Sequence, residues 1–214
     1  MTAVIDKNSD GVEIKRVWDA MGMRGTASDN IVYEDAFVPR ENILGGENFI
    51  GTTGKIDITM FHLGFSAAYL GLGGGIYSHL VDYVKNTRYE PNPAPLSHDE
   101  IYQSEIGALS SELRAARNLL YEACAVKEQG DRKASQNTVK VVMQLKYISC
   151  EICAKVSQQT MRLVGGRSIV RRYPFERFYR EGIVGVVMPP SSSRCIEVAG
   201  KIECGLTGMI LQYG

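Results

Sequence analysis

The sequence predicts a mainly α protein, an up-and-down helical bundle preceded by a short two-stranded β segment. Three observations carry this reading. The spacing of apolar residues changes near Gly45, from alternation to a helical repeat. Beyond that point the periodic stretches break only where glycine and proline gather. The connections between those stretches are short, which favours antiparallel neighbours.

Residues 1–45 hold the two strands. Gly11 to Trp18 alternates Val12 and Ile14 with charge, and Asn30 to Val38 is rich in β-branched and aromatic residues until Pro39 stops it. In the loop from Met21 to Ser28, Gly22 and Gly25 are expected to take backbone angles that bulkier residues resist. Two strands alone do not make a stable sheet in water, so the pair is expected to rest on helices or on strands from elsewhere.

Residues 46–214 form the helical bundle. The first helix spans about Gly54 to Thr87 and carries Gly64, Ala67, Ala68, Gly71, Gly73, Gly74 and Gly75, small residues expected where backbones approach closely. Pro91, Pro93 and Pro95 enforce a loop, and Ser97 to Glu100 has the spacing of a capping box that opens a second helix ending near Gln129. Leu109, Leu113, Ala116, Leu120 and Ala123 recur at three- and four-residue steps and mark its core face. After the turn at Gly130 a third helix, Ala134 to Val164, lines up Val142, Leu145, Ile152, Val156 and Leu163, and Gly165 with Gly166 ends it. Helices two and three are expected to pack antiparallel. A short helix follows Pro174 and stops near Glu181, before Gly182; the last covers Ser191 to Ile202 after Pro189 and Pro190.

Composition narrows the function. Lysine plus arginine number 24 and aspartate plus glutamate 24, so no net field draws in nucleic acid or an anionic membrane. The longest apolar candidate, Leu63 to Tyr77, is broken by glycines and Ser66 and is too short to span a bilayer. Residues Met1 to Lys7 lack the basic and apolar regions of a secretory signal, which predicts a cytoplasmic protein. Five cysteines, an odd number, fit free thiols in a reducing compartment, and the pair Cys150 and Cys153 reads as buried helix cysteines rather than a metal or redox site. His79 and His98 read as surface residues; His62, on the glycine-rich helix, is the histidine with functional interest. Gly71 to Gly75 lacks the preceding strand and the lysine of a phosphate loop and reads as helix packing. Gly165 and Gly166 sit beside Arg162, Arg167, Arg171 and Arg172, a turn that can hold a diphosphate and that reads equally as a solvated helix end.

Taken together, Trp18 to Ser28, Asp35 to Pro39, Ile43 to Gly45, Arg88, Gln103, Lys146, Leu163 to Gly166 and Tyr173 to Arg180 carry a resemblance in their order and spacing. The chain resembles the C-terminal half of the acyl-CoA dehydrogenase family of flavoproteins. The resemblance implies a remnant of the family's middle β-domain followed by its C-terminal helical bundle. It also implies bound FAD, an acyl-CoA substrate and assembly into a homodimer or homotetramer. In that family the flavin's diphosphate and adenosine reach a neighbouring subunit, which places Arg88, Gln103, Arg162, Gly165 and Gly166 at the cofactor. Ser191 stands where the family has a threonine near the flavin.

The sequence also departs from the family. The family's glutamate base, which takes the α-proton while hydride leaves to the flavin, is replaced by Pro189. A second family position for that glutamate aligns near Phe61 or His62, with Asp57 one helical turn away, so Asp57 and His62 are the candidate substitutes. Arg162 stands where glutamine is usual, Ser168 where the last glycine of the turn is usual, and Tyr89 to Pro91 where Phe-Gly is usual. The family's helical first domain and most of its barrel have no counterpart here, so a separate chain supplying them is one expectation. Two alternatives to dehydrogenation stay open: a flavin-dependent monooxygenase on the same scaffold, and a non-catalytic helical assembly domain or partner subunit.

Overall fold

The computed structural model describes residues 2–44, 58–129 and 135–206. The chain divides into two compact units, Met1–Ile58 and Thr59–Gly214. Gly45, Gly54, Asp57 and Gly130, which the sequence reading used, lie outside the described residues.

In the first unit, strand β1 is Thr2–Ala3, β2 Val12–Lys15, β3 Asn30–Tyr33 and β4 Ile43–Leu44. The two expected strands are β2 and β3, paired antiparallel with Val12 opposite Tyr33 and Lys15 opposite Asn30. β3 ends earlier than the sequence pattern suggests, because Asp35 adopts a left-handed φ of 50° and bends the chain before Pro39. A second antiparallel pair, β1 with β4, was not expected; two residues a side are too few to show alternation. Ile14, Ile31 and Tyr33 of the β2–β3 pair are exposed.

The loop between β2 and β3 turns at different residues from those expected. The left-handed positions are Met23 at φ 52° and Ala27 at φ 43°, not Gly22 or Gly25. Such a conformation costs an L-residue about 1–2 kcal/mol. Hydrogen bonds around the loop offset it: the Trp18 indole N–H and the Thr26 hydroxyl donate to the Met23 carbonyl at 3.0 and 2.9 Å. The Asp29 carboxylate accepts the Val17 and Trp18 N–H groups at 2.9 and 3.0 Å, which holds its pKa below the ordinary value.

The second unit contains five α-helices among the described residues: α1 Ile58–Asn86, α2 Glu100–Gln129, α3 Gln136–Val164, α4 Phe175–Val184 and α5 Ser192–Glu203. Leu63 of α1 shares a buried cluster with Ala123, Val141, Val142 and Leu145, whereas Gly73 lies against Cys153 and Leu113. Moving along α1 therefore advances along α3 and retreats along α2. Polar contacts between α2 and α3 run in opposite senses as well: Tyr102 with Leu163, Glu105 with Gln159, Glu112 with Lys155. The result is the expected up-down-up order. The core face predicted for α2 is buried at Leu109, Leu113, Ala116 and Ala123, with Leu120 partly covered.

α3 is the central helix, buried along almost its whole length. Ser135 caps it by accepting the Thr138 N–H at 3.2 Å, and Gly165 ends it at φ +67°, an angle that suits glycine. α4 and α5 both pack on α3. α4 passes through Gly182 instead of stopping before it, because the missing side chain is needed for packing: a Cβ there would stand 2.9 Å from Ser157. The start of α2 differs too. Leu96–His98 form a 3-10 turn and the cap is Asp99, whose carboxylate accepts the Ile101 N–H at 2.8 Å, so Ser97 is not the cap. Close approach in α1 is met at Gly73, where an added Cβ would stand 3.4 Å from the Cys153 Cα; at Gly64, Gly71 and Gly75 an added Cβ meets nothing within 4 Å. Among the described residues no helix is long and apolar enough to cross a membrane.

Candidate functional site

Three helix ends meet at one end of the second unit. Arg88 follows α1, Gln103 lies in the first turn of α2, and Arg162, Gly165 and Gly166 close α3. Specific bonds hold these ends together. Tyr102 donates its hydroxyl to the Leu163 carbonyl at 3.1 Å, joining the start of α2 to the end of α3. The loop after α1 is tied back by the Leu96 N–H on the Thr87 carbonyl at 3.0 Å, and Gln103 Nε2 donates to the Ser97 carbonyl at 3.0 Å.

Arg167 completes the arrangement, a role the sequence reading did not assign. Its guanidinium lies 5.0 Å from the Tyr89 ring centroid, and Tyr89 shares a 2.8 Å hydroxyl hydrogen bond with Tyr83. The turn after α3 is thereby clamped to the loop after α1. Burial raises the pKa of Tyr83, and its hydrogen bond to Tyr89 adds to that. The tyrosine at position 89, noted in the sequence as a departure, was the available signal.

Arg88, Gln103 and Arg162 are exposed, and an added Cβ at Gly165 or Gly166 would meet nothing within 4 Å. The arrangement presents exposed guanidinium groups beside an uncrowded glycine turn, and the guanidiniums suit an anion with several oxygens.

Ser191, Pro189 and His62 lie elsewhere. Lys146, which both Met188 and His62 approach, precedes Arg162 by sixteen positions on α3, about 24 Å along the helix. The structure therefore sorts the predicted residues into two groups. Ser191 caps α5, its Oγ accepting the Arg194 N–H at 3.3 Å, which leaves its own proton to donate. Pro189 and Pro190 sit in the segment between α4 and α5. His62 is 2% exposed and both ring nitrogens lack a hydrogen-bond partner; burial, then the Lys146 charge, hold its pKa below 6.5, so the ring is neutral. Asp57 lies outside the described residues.

The cysteines follow the sequence reading. All five are free, and Cys150, Cys153 and Cys195 are buried. Burial pushes the Cys153 thiol up to about 12 and Cys195 to about 11, the opposite of an activated thiolate.

The profile of the family described as "Acyl-CoA dehydrogenase, C-terminal domain" matches residues 63–185. This chain belongs to the acyl-CoA dehydrogenase family. The short/branched chain specific acyl-CoA dehydrogenase of rat mitochondria is 24% identical over 200 residues, covering 92% of this chain and 44% of that protein. The structure of a glutaryl-coenzyme A dehydrogenase in complex with glutaryl-CoA superposes with a TM-score of 0.81 at 24% identity, covering 95% of this chain and 50% of the other. Dibenzothiophene monooxygenase from Paenibacillus sp. A11-2 superposes with a TM-score of 0.82 at 19% identity, covering 95% and 55%. At these identities the structural likeness establishes the fold. The chain spans about half the length of the curated relatives it matches.

Proposed function

We propose that this chain acts as the C-terminal part of an FAD-dependent oxidoreductase that dehydrogenates an acyl-CoA thioester between its α and β carbons. The observation that carries the proposal is the gathering of Arg88, Gln103, Arg162, Gly165 and Gly166 at one end of the helical unit. Their chemistry fits a dinucleotide: exposed guanidinium groups for the diphosphate, room for close approach at the glycine turn and a glutamine whose Oε1 stays available. Bound FAD supplies the hydride acceptor. Ser191 offers its hydroxyl proton to the flavin ring of its own subunit, and the arginine–glycine end serves a neighbouring subunit. The separation of about 24 Å between the two groups along α3 supports that division of labour in a homodimer or homotetramer.

Removing the α-proton needs a base, and Pro189 has no side chain that accepts one. Asp57 and His62 are the remaining candidates, and burial with the Lys146 charge lowers the His62 pKa, which makes it a weaker base than an ordinary imidazole. Pro189 also supports a second reading, a flavin-dependent monooxygenase on the same scaffold, whose chemistry needs no α-proton base. The two separate cleanly on the FAD-loaded chain, completed where necessary by a polypeptide carrying the family's first and middle domains. Anaerobic bleaching of the flavin by an acyl-CoA indicates dehydrogenation; oxygen uptake dependent on reduced flavin indicates monooxygenation. Flavin that responds to neither overturns both.

A further inference from the structure

Lys146 is fully enclosed in the helical unit. An enclosed ammonium is costly unless its protons are satisfied. Its Nζ donates to the carbonyl of Gly185 at 2.8 Å and to that of Met188 at 3.1 Å. Gly185 caps the C-terminus of α4, where carbonyls lack helical partners and the helix dipole is negative. No carboxylate pairs with Lys146 among the described residues; the titratable groups close to it are His62 of α1, Cys150 of α3 and Cys195 of α5. The main-chain carbonyls that accept from it both belong to one short segment, and the Cys150 side chain of α3 also bonds to it.

That segment runs on to the candidate flavin edge. The Ser192 N–H returns to the Val186 carbonyl at 2.8 Å, and the Cys195 thiol donates to the Pro190 carbonyl at 3.5 Å. Pro189 and Pro190 have no N–H with which to hold themselves in place. We propose that Lys146 is a positioning residue: its buried ammonium fixes residues 185–191 against α3 and so sets where the Ser191 hydroxyl meets the cofactor. The anchoring follows from the hydrogen bonds alone; the consequence for the cofactor rests on the flavin reading given above.

The test uses Lys146→Met, which keeps the volume and removes all three donors, alongside Ser191→Ala. Amide exchange read by mass spectrometry should be at least about tenfold faster over residues 185–195 in Lys146→Met, with α2 unchanged, since two hydrogen bonds to a charged donor are lost. Unchanged exchange in a folded Lys146→Met protein overturns the anchoring. With FAD bound, Lys146→Met and Ser191→Ala should shift the flavin absorbance band alike, and the double variant should shift it no further than either alone. A wild-type band in Lys146→Met, or additive shifts, overturns the positioning role while leaving the flavin reading intact. A wild-type chain that binds no flavin sinks the flavin reading and the positioning role with it, and the exchange arm still decides the anchoring. If Lys146→Met does not fold, Lys146→Gln, whose uncharged amide nitrogen stops one bond short of the Nζ position and so cannot hold both carbonyls as the ammonium does, takes its place with the same outcomes.

Discussion

The Tyr102 hydroxyl donates to the Leu163 carbonyl across sixty-one positions of sequence, at 3.1 Å. This bond closes the end of the bundle where α2 begins and α3 stops, beside Gln103 and Gly165. Tyr102→Phe removes it and leaves the ring. Urea unfolding should show a loss of about 0.5–1.5 kcal/mol. The amide signals of Gly165 and Gly166 should also move, because the carbonyl two positions before Gly165 loses its partner.

Gly182 gives a sharper packing prediction. A Cβ at this position would stand 2.9 Å from both the Cβ and Oγ of Ser157. Gly182→Ala should cost about 1–3 kcal/mol through overpacking of α4 on α3. Pairing it with Ser157→Gly should recover part of that loss in the same unfolding experiment, since the obstructing atoms are then gone.

His62 predicts a pH dependence of known sign. Its folded pKa lies below the ordinary imidazole value of 6.5, so the unfolded chain binds the proton that the folded chain refuses. Stability from this group is present above about pH 6.5 and falls as the pH drops through and below that value. His62→Leu should flatten the decline measured between about pH 7 and about pH 5. At neutral pH it should be neutral or stabilising, because both ring nitrogens lack partners and an apolar group leaves none unpaired. An unchanged pH profile would rule out this account of His62.

Thiol chemistry should follow burial. Cys204 is exposed and Cys124 partly so, whereas Cys150, Cys153 and Cys195 are buried with raised pKa values. A thiol reagent at mildly alkaline pH should modify Cys204 in the fast phase and Cys124 more slowly. The other three should react only on unfolding. Cys204→Ser should abolish the fast phase.

Much of this architecture was legible in the sequence because its signals are local. The stripe of α2, the end of α3 at Gly165 and the alternation at Val12 and Ile14 each reflect one element's local pattern. What escaped was set by contacts distant in sequence. Gly182 reads as a helix stop until Ser157 shows why a small residue is needed inside α4. Lys146 reads as an ordinary helical lysine, and only the carbonyls of Gly185 and Met188 reveal its enclosure. At the candidate site, Arg88, Gln103 and Arg162 come from the family resemblance, and the fold brings them to one end of the helical unit. The clamp of Arg167 on Tyr89 needed the folded chain.

Flavin binding decides whether the arginine–glycine end of the helical unit holds a cofactor. The chain is titrated with FAD and followed by visible absorbance and flavin fluorescence, alone and with a polypeptide carrying the family's first and middle domains, with Arg162→Glu in parallel. The wild-type protein should show a perturbed flavin band, and Arg162→Glu should weaken binding at least about tenfold, the loss expected when a charged hydrogen-bond donor to phosphate becomes an anion. A free-FAD spectrum under both conditions, or binding indifferent to Arg162→Glu, would contradict a cofactor site at that end.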